Sequence, residues 1–293
     1  MLTLSFPLAL PGVPYRWFDH AQPAEHGERV GFAEKLESSV DLSRFPGRVC
    51  LAAWHLEERE PVLVNAETVV HAASTIKTLV MITALQQVQA GRLALDAEVP
   101  LPAERPGGAG VLAELTSVHR LSLADLLRLM IVISDNTAAN AVIDVVGFPA
   151  IRRCAEQLGC TATRVERRLM EVSAPGRIET TALDQARVFD ALATGRALTT
   201  ELTGFALDVL RRQQVRDRLP ALLPREAGCW HKTGEISGVR HDVGLIGGSR
   251  PQAVVAVLVD QLTDERSTAD HRGGPACELI ARIGRAAFDA LPG

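Results

Sequence analysis

Three short motifs place hydroxyls and amines where they could serve one reaction: Ser74-Thr75-Ile76-Lys77, Ser134-Asp135-Asn136 and Lys232-Thr233-Gly234. Lysine is scarce. Of the 31 basic residues 28 are Arg, and the lysines are Lys35, Lys77 and Lys232. Arg keeps its proton at physiological pH, whereas a buried Lys can release one. Two lysines in hydroxyl-bearing motifs therefore point to chemistry that needs an amine. A serine hydroxyl is a weak nucleophile until a base stands beside it. Lys77 follows Ser74 by one helical turn on the same face, which makes it the candidate base. Burial and a neighbouring Lys232 would lower its pKa. Ser134 is the candidate relay of a proton to a leaving nitrogen. Asn136 carries both a donor and an acceptor for orienting an amide. Gly234 permits close approach of a substrate backbone. The N–H groups of Ser74 and Glu235 are the candidate oxyanion hole, helped by the positive end of the helix that Ser74 opens. Each motif alone reads as a capped turn, a loop or a strand end. The weight lies in all three occurring together, in this order.

The elements that must position these groups follow from patterning. Apolar residues on most sides of Ser74–Gln89 predict a core helix, stopped by Gly91. Ser122-Leu123-Ala124-Asp125 resembles a capping box opening a helix that ends at Ser134. Further helices are expected over about Thr137–Val146, Pro149–Leu158, Thr181–Thr194 and Thr199–Gln213, so the middle third is nearly all helical. Arg48–Leu56 and Val62–Val64 read as a strand hairpin. Cys229–Glu235, Val243–Ile246 and Ala253–Val259 read as three more strands, and Phe32–Val40 and Glu278–Leu291 as flanking helices. Pro102–Gly110 reads as a surface loop. Strands at both ends with helices between imply an α/β (α+β type) fold. Its antiparallel sheet would be built from distant parts of the chain, with flanking helices and an inserted all-α subdomain. We expect one domain over 1–293, with an α/β subdomain over about 25–70 and 214–293 and a helical subdomain over about 71–213.

The bulk numbers narrow the class. At 293 residues the chain can bury a large core, and 47% hydrophobic with 23% charged residues is ordinary for a globular enzyme. A net charge of −4 argues against a nucleic-acid partner, and no apolar run has the length of a membrane span. The apolar start, Met1 to Pro11, has no Lys or Arg before it and is broken by prolines, so it is a poor signal peptide and reads better as a docking arm. The five cysteines, without CxxC spacing, fit free thiols, and the eight scattered His residues fit no metal site. No cofactor is implied. The expected partner is a small-molecule substrate, the expected state a monomer, and the location uncertain, cytoplasmic by the sequence itself.

From about His71 to Val259 the chain resembles the class A β-lactamases and the penicillin-binding proteins, whose signature is this trio of motifs. The resemblance implies a β-lactamase/transpeptidase-like fold. It also implies a serine hydrolase that opens the β-lactam amide through an acyl-enzyme. Ser74 would be acylated and Lys77 would be its proton partner. Ser134 would protonate the lactam nitrogen, Asn136 would hold the side-chain amide, and Lys232 and Thr233 would face the substrate carboxylate. Arg240 resembles the family's carboxylate-binding Arg, with a surface strand charge as the equal alternative. Relatives usually work in the periplasm or outside the cell.

The chain departs from that pattern before Thr180. The class A enzymes carry Glu-x-x-Leu-Asn there, the Glu activating the water that frees the acyl-enzyme. Here Glu166-Arg167-Arg168-Leu169-Met170 has Met in place of Asn. In a second register Thr163-Arg164-Val165-Glu166-Arg167 resembles the family's Thr-Arg-Leu-Asp-Arg. Glu166 is then an ion-pair partner, the catalytic position falls on Leu169, and Glu171 is the nearest carboxylate. Acylation is expected to be competent, and hydrolysis slow unless Glu166 or Glu171 is suitably placed. Glu235 is a second departure, since most class A enzymes have a small residue after the Gly. It would repel an anion if aimed into the cleft, and strand alternation could instead turn it outward. The alternatives are a D-Ala-D-Ala peptidase, amidase or esterase of the same superfamily, or a β-lactam-binding protein without turnover.

Overall fold

The structure is a computed structural model describing residues 30–43, 45–263 and 273–292. The expected N-terminal arm lies outside the described residues. Alternation of large apolar side chains builds a five-stranded antiparallel sheet from β1 (Arg48–His55), β2 (Pro61–Val64), β8 (Gly228–Ile236), β9 (Val239–Gly247) and β10 (Pro251–Asp260), in the order β2-β1-β10-β9-β8. The register runs from Arg48 opposite Asp260 to His55 opposite Ala253. On the far side it runs from Gly228 opposite Gly247 to Ile236 opposite Val239. β8 is thus an edge strand, and its outer side faces the motifs of the middle third.

Successive strand residues point to opposite faces. Cys50, Ala52 and Trp54 of β1 join Trp230, Val243, Leu245, Val254, Ala256 and Leu258 in one core. Val49, Leu51 and Ala53 join Cys229, Ile246, Val255, Val257 and Val259 in the other. The second core is closed by α1 (Phe32–Ser39), through Phe32 and Leu36, and by α8 (Pro275–Asp289), through Leu279, Ile280 and Ile283. The first is closed by the middle of the chain. There α2 (Lys77–Gln89) is buried on every side from Lys77 to Leu85. Around it lie α3 (Leu123–Val132), α4 (Asn136–Val146), α5 (Phe148–Gln157), α6 (Ala182–Ala193) and α7 (Thr200–Arg211). Burying a Leu, Ile or Met side chain stabilises by about 1.5–3 kcal/mol. The run Leu79-Val80-Met81-Ile82 in α2 therefore fixes where Lys77 stands.

Caps set the helix starts. Ser122 Oγ accepts from Asp125 N at 3.1 Å, as the capping-box pattern predicted. Asp135 Oδ1 accepts from Ala138 N at 2.9 Å and starts α4. Thr181 and Thr199 cap α6 and α7. Five short strands had no sequence signal: β3 (Val70–His71), β4 (Glu98–Pro100), β5 (Arg120–Ser122), β6 (Arg164–Val165) and β7 (Ile178–Thr180). At two or three residues they are too short to show a period. β3, β7 and β6 form a small sheet beside the Ser74 motif, and β4 pairs with β5. Ser74 itself does not open an α-helix. It lies on a single 3-10 turn, Ala73–Ile76, and α2 begins at Lys77. The five cysteines are buried and free.

Candidate active site

The Ser74 turn is held on several sides. Ala73 has φ +46°, a left-handed conformation that a non-glycine residue adopts at a cost of order 1–3 kcal/mol and only where its surroundings enforce it. Ala72 N donates to Ile178 O of β7 at 3.0 Å, and Ala73 N donates to His71 Nδ1 at 3.0 Å. His71 O in turn accepts from His241 Nε2 at 2.9 Å. Val259 N donates to His241 Nδ1 at 3.1 Å, which leaves the proton on Nε2. Burial holds the His241 imidazole neutral, pulling its pKa down to about 4. A chain of hydrogen bonds thus ties the turn to β9 and β10. The sequence reading missed His71 and His241, because contact between residues 170 positions apart leaves no local pattern.

Both candidate amines meet at Ser134. Lys77 Nζ donates to Ser134 O at 2.6 Å and to Asn136 Oδ1 at 2.8 Å, and lies 3.1 Å from Ser134 Oγ. Lys232 Nζ lies at 3.1 Å from the same Oγ and donates to Thr233 O at 2.8 Å. Ser134 has φ +59°, and this left-handed residue turns the chain from α3 into α4 so that its side chain faces α2. Lys77 and Lys232 are wholly buried, and Ser134 is 7% exposed. Burial pushes both amines down. Lys77, with Lys232 as the second cause, falls well below the usual lysine range, and Lys232 falls to about 7 although Asp242 opposes the shift. Ser74 stands one turn before Lys77, and its Oγ makes no hydrogen bond to a described residue. Such bonds often tighten only when substrate binds.

Pro102–Gly110 does more than line the surface. Asn136 N donates to Ala109 O at 3.0 Å, and Asn136 Nδ2 donates to Gly107 O at 3.0 Å. Asp135 Oδ2 accepts from Val111 N at 2.7 Å and Leu112 N at 2.9 Å. A Cβ on Gly110 would fall 2.3 Å from Asp135 Oδ2, so only glycine admits this contact. The loop therefore holds the second motif in place. The Asn136 amide is oriented by both contacts, Oδ1 facing Lys77 and one Nδ2 hydrogen facing Gly107.

At the sheet edge, a Cβ on Gly234 would lie 3.0 Å from Thr75 Cγ2 and 3.2 Å from Ala73 Cβ, so β8 packs directly on the Ser74 turn. Lys232 and Gly234 face that turn. Thr233 and Glu235 alternate to the other face and pair in register with Asp242 and Arg240. Glu235 therefore turns away from the amines, and its carboxylate is bound by Arg218. Arg240 is not the surface charge of the alternative reading. It is 1% exposed, and its Nη1 donates to Ile236 O at 3.1 Å and Val239 O at 2.8 Å.

The loop before β7 does not bring a carboxylate to these groups. Glu166 accepts from Arg177 N at 3.0 Å and Arg177 Nε at 3.2 Å, and that hydrogen bonding holds it below the usual carboxylate range. Glu171 is half exposed and pairs with Arg168 at 3.4 Å. Neither donates to or accepts from Ser74, Lys77, Ser134 or Asn136 among the described residues. Leu169 is 6% exposed, and both its backbone groups are held by the Asn140 amide, N to Oδ1 at 2.8 Å and O from Nδ2 at 3.1 Å.

This fold and this cluster define the serine-reactive β-lactamase/transpeptidase class. A profile of the Beta-lactamase enzyme family matches residues 31–291, and the chain belongs to that family. A β-lactamase of Streptomyces fradiae is 27% identical over 284 residues, 89% of this chain and 88% of that one. The crystal structure of a β-lactamase from Sphaerobacter thermophilus superimposes with a TM-score of 0.77 at 31% identity, over 90% of this chain and 98% of that one. The L158E mutant of PBP-A, solved as an acyl-enzyme complex with penicillin G, superimposes with a TM-score of 0.76 at 25% identity, over 88% of this chain and 95% of that one. The protein is therefore a hydrolase of the serine β-lactamase type. Among the described residues no helix is long and apolar enough to cross a membrane.

Proposed function

We propose that Ser74 is acylated by a β-lactam and that the acyl-enzyme is released slowly. The observation that carries this is the position of Ser134 Oγ, 3.1 Å from two buried amines on different elements. Lys77 Nζ takes the Ser74 proton as Oγ bonds to the lactam carbonyl carbon. The carbonyl electron pair moves onto oxygen, which the N–H groups of Ser74 and Glu235 stabilise. Collapse breaks the C–N bond, and nitrogen takes a proton from Ser134 Oγ, which is resupplied through Lys77. Lys232 supplies charge at the carboxylate end beside Thr233, Asn136 holds the acyl amide, and Gly234 leaves room for the backbone. Arg240, buried and bonded to backbone carbonyls, supports the turn at the end of β8.

Release needs a second base beside a water, an effect typically worth about 10²–10⁴-fold. The pairing of Glu166 with Arg177 and Glu171 with Arg168 supports slow release, as does Leu169 in the register where the catalytic Glu would fall. The penicillin G acyl-enzyme of the PBP-A mutant supports a reading close to penicillin binding. A D-Ala-D-Ala peptidase, amidase or esterase of the same superfamily would use the same groups. Stopped-flow mixing with a chromogenic cephalosporin tests the proposal. We expect a burst of one equivalent followed by a slow steady state. Fast linear turnover without a burst would overturn slow release.

A further inference from the structure

His71 ties the Ser74 turn down in two directions. It closes β3, where it pairs in register with Glu179 of β7. Its carbonyl accepts from His241 Nε2 of β9, and its ring Nδ1 accepts from Ala73 N at 3.0 Å. Ala73 is the left-handed residue immediately before Ser74, so the imidazole grips the backbone whose unfavourable conformation aims the nucleophile. Nδ1 accepts only while it carries no proton. The neutral ring with its proton on Nε2 makes this bond, whereas an imidazolium sets an N–H on Nδ1 against the Ala73 N–H. His241 is wholly buried, but His71 is partly exposed, so solvent protons reach it. The groups facing His71 are Arg167 from the loop before β7, His241 on β9, and Glu179, which itself pairs with Arg177 at 3.7 Å. Burial first and then Arg167 pull the His71 pKa below the ordinary 6.5, and Glu179 opposes them. The bond to Ala73 is therefore whole above pH 6.5 and is lost as the pH falls through that lower value.

We propose that His71 is a positioning residue for the Ser74 turn and a proton-operated latch on it. Neutral, it holds Ala73 in the conformation that acylation uses. Protonated, it lets that backbone go, and the enzyme acylates more slowly. This inference rests on the reading of Ser74 as the acylated hydroxyl.

Asn is the discriminating replacement. Its side-chain oxygen accepts from the N–H two residues on, as Nδ1 does here, and it does not titrate. Second-order rates of adduct formation with benzylpenicillin are read by intact-mass spectrometry from pH 8 to pH 4.5 on the wild type, His71→Asn and His71→Ala. The readout is the ratio of the wild-type rate to the His71→Asn rate, in which the titrations of Lys77, Lys232 and His241 cancel. At pH 7.5 we expect His71→Asn to stay within about threefold of the wild type and His71→Ala to be slower by at least about fivefold, the loss of one hydrogen bond. The ratio should be level above pH 6.5 and fall by at least about threefold by pH 4.5. A ratio that is flat over the whole range overturns the latch. His71→Ala as fast as the wild type, or His71→Asn no faster than His71→Ala, overturns the positioning role. Each of these leaves the nucleophile reading standing. Absence of any adduct in all three proteins overturns both readings.

Discussion

Two ammonium-forming side chains do not ordinarily share one hydroxyl. Lys77 and Lys232 both reach Ser134 Oγ, and burial together with Lys232 makes Lys77 harder to protonate. A neutral amine is what proton abstraction from Ser74 requires. Lys232, at about 7, is poised differently. Its folded pKa lies below the ordinary 10.5, so its positive charge is present below about pH 7 and lost as the pH rises through that value. Asp242 and Glu235 favour the charge, while burial and Arg218 oppose it. A carboxylate-bearing donor should therefore lose reactivity relative to its neutral ester between pH 6 and pH 8. Measuring the ratio at both values checks this, and a ratio that is flat or rises would show that Lys232 does not supply charge to the substrate. The chemical identity of these residues was legible in the sequence because Lys is rare and the motifs are short and contiguous. Arg218 was not legible, because 28 arginines look alike until one of them is buried.

At the scale of elements, α2 and β8 were readable from their apolar content, and α3 from its cap. The 3-10 turn was not, because Ala73 takes its left-handed backbone from tertiary clamps rather than from its own preference. Nor was the role of Pro102–Gly110, whose Gly107 and Ala109 carbonyls accept from Asn136, while Val111 and Leu112, just after it, donate to Asp135. The two registers for the loop before β7 could not be separated by pattern. Glu166 is an ion-pair partner of Arg177, as the second register expects, and in that register the catalytic position falls on Leu169. Restoring that base should restore release. Leu169→Glu is expected to shorten the lifetime of the penicillin adduct by about 10²-fold or more. Following adduct decay by mass spectrometry measures this directly. A lifetime equal to that of the wild type would show that the loop does not position residue 169 against the acyl ester.

The molecule as a whole works by convergence. A sheet drawn from both ends of the chain supplies Lys232 at its edge, and the middle of the chain supplies Lys77 at the start of α2 and Ser134 in the link between α3 and α4. The two cores on either face of the sheet keep these elements in fixed register, so groups 57 and 98 residues apart meet within hydrogen-bonding distance. Sequence order foretold that strands from distant segments would pair. It could not foretell the distances, which depend on packing summed over every element. The central claim is that this convergence serves Ser74. Its most direct test is peptide mapping of the protein after exposure to benzylpenicillin, for the wild type and Ser74→Ala. The account predicts one penicilloyl group, carried by the peptide containing Ser74 and missing from Ser74→Ala. An adduct that persists in Ser74→Ala, or that maps to another residue in the wild type, would contradict it.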